Sequence, residues 1–279
     1  RDEDHYRGRK KVNARFPIRS IWDSGQTGDT TGSDDYKYYM YLRRKLKAQD
    51  PSNLFVPTPT DLPIIDQDGL KVYCLAAAEE YVEGLDQRLF EAATRKPHTN
   101  SMVLMIEYGS RKMLLTGDSD WKSWRDKIVP NFNKNDFLHS NILIASHHGS
   151  RSFFTDEQVN DTIDPIKNPD NTYIDSIKLI KPNVTLIPCG PYEPKHHPNK
   201  EAKKLYLQNT DNEQVYSTHE KGHICGFIDD TGYFTVVPSR FKRETNAPAS
   251  IGFRIKCVSE RDGVQTKVEN NSCISIECT

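Results

Sequence analysis

The chain has 279 residues and nearly balanced charge, with 38 Lys and Arg against 39 Asp and Glu for a formal net charge of -1. That balance excludes a protein that grips nucleic acid through bulk positive charge, while leaving room for a local basic site. No apolar run approaches the ~18 residues of a membrane span, the opening Arg1-Asp2-Glu3-Asp4 is unlike a signal peptide, and six scattered cysteines without a CxxC pair read as reduced, buried thiols of a cytoplasmic protein.

In chain order, residues 9–15, between Gly8 and Phe16, read as a short crossing into a strand, Ile18–Trp22, that is stopped by Asp23-Ser24-Gly25. Gly25–Ser33 is too rich in Gly and Thr to pack; it has the flavour of a phosphate cradle but lacks the lysine of a P-loop and reads as plain loop. Asp34–Lys47 follows as a helix capped by Ser33 or Asp34, with Tyr39, Leu42 and Leu46 on one face. Four prolines between Pro51 and Pro63 mark a surface connection. Lys71–Leu75 is strand-like, and Ala76–Ala93 is helical in part. Ser101–Tyr108 and Arg111–Thr116, joined by Gly109-Ser110, form a β-hairpin. Asp120–Ile128 is a helix with Trp121 and Trp124 one turn apart, and Asn141–Ser146 is a buried strand. Val184–Pro188 is another, followed by a helix over Lys200–Asn209, a strand over Gln214–Ser217 and a closing hairpin through Gly222–Ile228 and Gly232–Val237. Strands and helices alternate, which predicts a layered α/β domain. From about Arg240 two strands, Ile251–Val258 and Cys273–Ile276, flank a polar stretch, so the chain divides into a domain over 1–239 and a β-rich extension over 240–279.

Three polar clusters stand where chemistry is expected. Asp2-Glu3-Asp4-His5 opens the chain, Thr116-Gly117-Asp118 follows one strand, and His147-His148-Gly149-Ser150 follows another. Side chains just past a buried strand are rigidly held at a sheet edge, where α/β folds bind their ligands. Taken singly, an acidic terminus is an ordinary solvated patch and Thr-Gly-Asp an ordinary turn. Taken together, carboxylates and imidazoles in this order form a donor set for Zn, Mn or Fe, with a carboxylate between two ligand groups able to bridge two ions. His219, His223 and Cys225 imitate a zinc site but fall on a turn and a strand. Arg7, Arg9, Lys10 and Lys11, with Arg43, Arg44 and Lys45, form basic clusters that either guide a phosphate backbone or simply lie on solvated helix faces.

The segments DEDHYRG (Asp2–Gly8), IWDSG (Ile21–Gly25), NSMVLMIEYGSRKMLLTGDSD (Asn100–Asp120), SHHGSRSF (Ser146–Phe153), HHPN (His196–Asn199) and VYSTHEKGHI (Val215–Ile224) make the chain resemble the metallo-β-lactamase fold. Within that fold they resemble the ComEC-like hydrolases, the nuclease-type domain of DNA-uptake proteins. The likeness covers residues 1–238 with gaps. It implies a four-layer αββα sandwich whose first strands precede Arg1, because the leading His of the family's HxDxDH motif would fall immediately before that residue. It also implies two divalent ions, Zn or Mn, held by Asp2, Asp4, His5, Asp118 and His147, with Asp118 bridging. Where other members of the superfamily carry a further His, this group has the Asn100-Ser101 pair. Asn100, Ser101, Ser150 and His197 then face substrate, Asp4 orients a metal-bound hydroxide, and His148 serves the leaving group.

The implied function is a phosphodiesterase, most naturally a nuclease. The other readings are a hydrolase of a carbonyl substrate on the same fold, or an inactive scaffold or sensor module of an assembly, a defence assembly among them. The extension over 240–279 would be the docking surface for a protein partner, and no membrane association is expected.

Overall fold

The computed structural model describes residues 9–24, 33–77, 101–156, 162–190, 197–238, 250–255 and 273–277, with backbone alone for the last two segments. At its centre is a mixed sheet of seven strands: β3 (Ile65–Gln67), β4 (Leu70–Ala76), β5 (Val103–Tyr108), β6 (Arg111–Leu115), β7 (Ile142–Ile144), β8 (Val184–Ile187) and β9 (Val215–Ser217). They lie in sequence order. The pairs from β3 to β6 are antiparallel and those from β6 to β9 parallel. The chain is therefore α/β, as its alternating pattern predicts.

Period-two alternation sorts each strand between two faces. Tyr73, Met105, Leu114, Leu143 and Ile187 enter one cluster with Trp124, Ile128, Ile177, Ala202 and Tyr206 from the helices. Val72, Ile106, Met113, Ile142 and Leu186 enter the other, against Ile224, Ile228, Phe234 and Val236. These last residues belong to β10 (Ile224–Ile228) and β11 (Phe234–Pro238), an antiparallel hairpin of a second, four-stranded sheet. Helices thus cover one face of the central sheet and a second sheet covers the other. The strands within 240–279, β12 (Ser250–Ile255) and β13 (Cys273–Glu277), extend that second sheet, β12 running parallel to β10 and pairing Ile224 with Ile251.

Helix α1 (Arg9–Arg15) replaces the expected short crossing, and α2 (Asp34–Gln49) is capped by Ser33, whose hydroxyl accepts from the Tyr36 amide. The strand expected over Ile18–Trp22 is only β1 (Ile21–Trp22), parallel to β2 (Leu54–Phe55). The tryptophan helix begins as α3 (Trp121–Ser123) with Asp120 as its cap, widens to a π-turn over Trp124–Ile128, and ends as α4 (Val129–Phe132). Both tryptophans are buried. Three further helices follow: α5 (Asp175–Ile180), which the polar residues around it hid, α6 (Lys200–Asn209) and α7 (Thr218–Lys221). The helix expected over Ala76–Ala93 lies almost wholly outside the described residues. Among those described, no helix is long and apolar enough to cross a membrane.

Arg43 departs from both sequence readings. It neither meets solvent nor waits for phosphate: it is completely buried on α2, and its Nε donates to Asp23 Oδ2 at 2.8 Å. The Tyr39 hydroxyl donates to the same oxygen, and the Arg9 guanidinium lies 4.8 Å from the Tyr39 ring centroid. Position 43 borders the face formed by Tyr39, Leu42 and Leu46, where a charge reads as flanking and solvated. Nothing in the helical spacing reveals the carboxylate of Asp23 opposite it.

The two sheets also meet through their turns. Gly109 (φ 54°) and Ser110 (φ 63°) form the two-residue loop between β5 and β6, with both central residues left-handed as a type I′ turn requires. A Cβ on Gly109 would stand 2.2 Å from the Asp229 carbonyl oxygen in the β10–β11 turn, and Arg111 Nε donates to the Gly232 carbonyl at 2.6 Å. Gly109→Ala combines left-handed strain of about 1–2 kcal/mol with overpacking of about 1–3 kcal/mol. We expect thermal unfolding to fall by roughly 5–15 °C; an unchanged midpoint would show that the turns do not touch in solution.

Candidate active site

The site lies where the parallel strands end. Thr116 Oγ1 donates to the Ile144 carbonyl at 2.6 Å, which ties the exit of β6 to that of β7. The Asp118 amide donates to Ser101 Oγ at 2.9 Å, and the His147 amide donates to the Gly117 carbonyl at 2.9 Å. Ser146 Oγ donates to the carbonyls of Ser119 and Gly117, on either side of Asp118. The aspartate loop and the histidine turn are therefore sewn together through backbone groups and the hydroxyls of Ser101, Thr116 and Ser146.

The turn Ser146–Gly149 is strained. His147 (φ 46°), His148 (φ 55°) and Gly149 (φ 79°) are left-handed in succession, a region that costs non-glycine residues about 1–2 kcal/mol each. At Gly149 the conformation and the space both require glycine, since a Cβ would stand 2.9 Å from Pro198 Cβ and 3.0 Å from Ile187. The left-handed run turns two consecutive imidazoles toward one another, with ring centroids 6.2 Å apart. Strain of this kind gathers at functional sites.

Each ring is oriented by a partner. His148 Nδ1 is 2.7 Å from the Pro188 carbonyl oxygen at the end of β8. A carbonyl only accepts, so Nδ1 carries the proton and Nε2 is the lone-pair nitrogen of the neutral ring. His147 Nδ1 lies 3.1 Å from Ser152 Oγ, which in turn meets Ser150 Oγ at 3.1 Å. His197 is the third ring, with its centroid 4.9 Å from that of His147 and 6.3 Å from that of His148. Asp118 is buried, with 9% of its surface exposed.

The structure thus brings together Asp118, His147, His148, Ser150, Ser101 and His197 from four separate stretches of chain. Ser101 and Ser150 bond to the machinery, the first to the Asp118 amide and the second to the Ser152 hydroxyl that reaches His147. Asp2, Asp4, His5 and Asn100 lie outside the described residues. Among the described residues, no three His, Cys, Asp or Glu side chains converge as a metal site, and this holds also for His219, His223 and Cys225.

Sequence reasoning missed Ser152, Pro188 and Asn199. The Asn199 side chain caps α6 by accepting from the amides of Glu201 and Ala202, and its own amide donates to the Gly149 carbonyl at 3.0 Å. An Asn between proline and a helical pattern is the legible signal. Burial pushes the thiol of Cys189, next to Pro188, up and pushes that of Cys74 up to about 12, which disfavours the thiolate at both. Among the described residues, Cys74, Cys189 and Cys225 are free thiols, the first two buried and the third partly so. A scan of the chain against protein-family models gives no match, and a search of curated proteins gives none.

Proposed function

We propose that the chain is a metal-dependent hydrolase of the metallo-β-lactamase fold, similar to the ComEC-like group, that cleaves phosphodiesters and acts most naturally as a nuclease. The observation that carries this reading is the convergence of His147, His148 and His197 beside Asp118 at the ends of parallel strands, on a left-handed turn that costs folding energy. A second sheet packed on the site-bearing sheet supports the four-layer architecture of that fold.

Among the described residues no three donors form a metal site by themselves, and the reading draws the rest of the donor set from beyond them. What supports the reading is that each imidazole is oriented at Nδ1, His147 by the Ser152 hydroxyl and His148 by the Pro188 carbonyl, as imidazoles that bind Zn or Mn are. Asp118 and His147 would hold the ions with Asp2, Asp4 and His5. When bound, such ions acidify water and neutralise charge on the phosphate oxygens. The chain's own groups supply the rest. Asp4 and Asp118 orient the attacking water as anionic acceptors. His148 serves the leaving oxygen from Nε2, taking up a proton at that lone pair and passing it on, while the Pro188 carbonyl holds Nδ1–H. His197 closes the opposite side of the imidazole cluster and meets the substrate.

The test is to incubate the full chain with single-stranded DNA, duplex DNA, RNA and bis(p-nitrophenyl) phosphate, with Mn(II), Zn(II) or a chelator. Hydrolysis that depends on the metal supports the reading. Turnover of ester or lactam chromogens in the absence of any phosphodiester cleavage would transfer it to carbonyl chemistry, and inertness towards every substrate would favour a scaffold or sensor.

A further inference from the structure

The surface shared by α1 (Arg9–Arg15) and α2 (Asp34–Gln49) takes no part in the machinery proposed above. Helix α1 carries Arg9, Lys10, Lys11 and Arg15 and no acid. It is locked onto α2 through Asn13, whose Nδ2 donates to the Tyr38 hydroxyl at 2.8 Å while its Oδ1 accepts from the Ile18 amide at 2.8 Å. Lys10 and Phe16 stand one turn to either side of Asn13 on α1, and Tyr41 and Lys45 stand one and two turns beyond Tyr38 on α2. The Tyr38 and Tyr41 ring centroids are 6.1 Å apart. Lys10, Phe16, Tyr41 and Lys45 are all exposed, Phe16 to 68% and Tyr41 to 56%. Among the described residues, none of Lys10, Lys11, Arg15 and Lys45 is in an ion pair. The acids of α2, Asp34 and Asp35, sit in its first turn, where they suit the helix dipole, and Asp34 is paired with Lys37 at 3.5 Å.

We propose that this face binds single-stranded nucleic acid, with unpaired bases stacking on Phe16 and Tyr41 and the phosphates running past Lys10, Lys11, Arg15 and Lys45. The proposal rests on the nuclease reading for its purpose, and on charge and ring placement for the binding itself. Solvation alone accounts for the lysines, but it leaves the rings unexplained, because each exposed ring forgoes the burial that stabilises it elsewhere. Exposed rings interleaved with unpaired cations on two adjoining helices are the combination a single strand uses, since every base offers a π-face and every phosphate a charge. A duplex keeps its base faces stacked inside, so the rings gain nothing from it. An acidic peptide meets the cations and leaves the rings in water, and a membrane needs a continuous apolar face, which Asn13 and the cations interrupt here. The platform is also held in shape before anything binds: the Arg9 guanidinium lies 4.8 Å from the Tyr39 ring centroid, and the buried Arg43 ties α2 to Asp23.

Fluorescence anisotropy of a fluorescein-labelled oligothymidylate tests this, with the full chain in EDTA so that no metal-dependent cleavage intervenes. We expect the single strand to bind more tightly than its duplex with oligodeoxyadenylate. Tyr41→Ala and Phe16→Ala should each weaken single-strand binding by about 5-fold or more, the scale of one lost base stack, without altering its salt dependence. Lys10→Gln combined with Lys11→Gln should instead flatten the slope of log K against log salt by about 1.4. These side chains are exposed, so the thermal midpoint stays close to that of wild type in every variant. Equal affinity for strand and duplex, ring substitutions without effect, or tighter binding to phosphatidylserine vesicles or polyglutamate would overturn the proposal. Tight single-strand binding with no phosphodiester hydrolysis under any metal would remove the nuclease reading and leave this one standing. Metal-dependent hydrolysis of bis(p-nitrophenyl) phosphate by a chain that ignores the oligothymidylate would do the reverse.

Discussion

Under the proposed hydrolase reading, Asp118→Asn and His147→Ala are each expected to lower metal-dependent phosphodiester cleavage by more than about 10²-fold while leaving thermal stability within a few degrees of wild type. The scale follows from the chemistry: removing a group that merely orients a ligand costs about 10–100-fold, and a ligand itself costs more. Asparagine keeps the size of Asp118 and its backbone contact with Ser101, so the loop geometry survives while the anionic donor is lost. Alanine at position 147 removes the imidazole but relieves no strain, because the residue stays left-handed at φ 46°. Steady-state rates with saturating Mn(II) or Zn(II), alongside calorimetric unfolding, make the comparison. Cleavage that survives both substitutions would end the metal mechanism, whatever the fold.

The largest effect on stability is expected at Arg43→Met. Arg43 and Asp23 are 0% and 3% exposed, so their charges are compensated by each other and by the groups around them, with little help from water. Removing one member of such a buried pair leaves the other charge stranded, at a cost of about 3–5 kcal/mol. That corresponds to a fall of roughly 6–20 °C in the unfolding midpoint. The pair itself need not be stabilising, because two desolvated ions consume most of what their attraction returns. Accordingly the double variant Arg43→Met, Asp23→Asn recovers much of the loss, and the double-mutant cycle gives a large coupling energy. Arg43→Lys does not rescue, since a point ammonium cannot reproduce the planar fork at 2.8 Å from Asp23 Oδ2. Additive single and double effects would show that the two groups do not interact.

What could be read from the sequence follows its physics. The hairpin about Gly109-Ser110, the buried strands and α6 declare themselves through period, turn chemistry and caps, each a local property. Clusters such as Thr116-Gly117-Asp118 and His147-His148-Gly149-Ser150 were also legible as strand-end polar groups. Their assembly was not, because it depends on the order of β6, β7 and β8 in the sheet and on the chain returning at His197. Arg43 illustrates the limit best. A charge on an amphipathic helix reads as solvated, and only Asp23 opposite it alters that reading. Helix α1 was hidden for a related reason: its seven residues include four of Lys or Arg and none that is buried, so it has no apolar stripe to announce it.

The parallel pairing of β12 with β10 changes the standing of the chain's last forty residues. Without β12, the second sheet would be the β10–β11 hairpin alone, and a two-stranded ribbon is marginal by itself in water. It would also offer the bare edge of β10 to any passing strand. With β12 and β13 in place, β10 is hydrogen-bonded along both sides, and among the described residues the outermost strands of the sheet are β11, which ends at Pro238, and β13. Residues that look from sequence like an attachment thus close the edge of the layer that shields the apolar back of the site-bearing sheet.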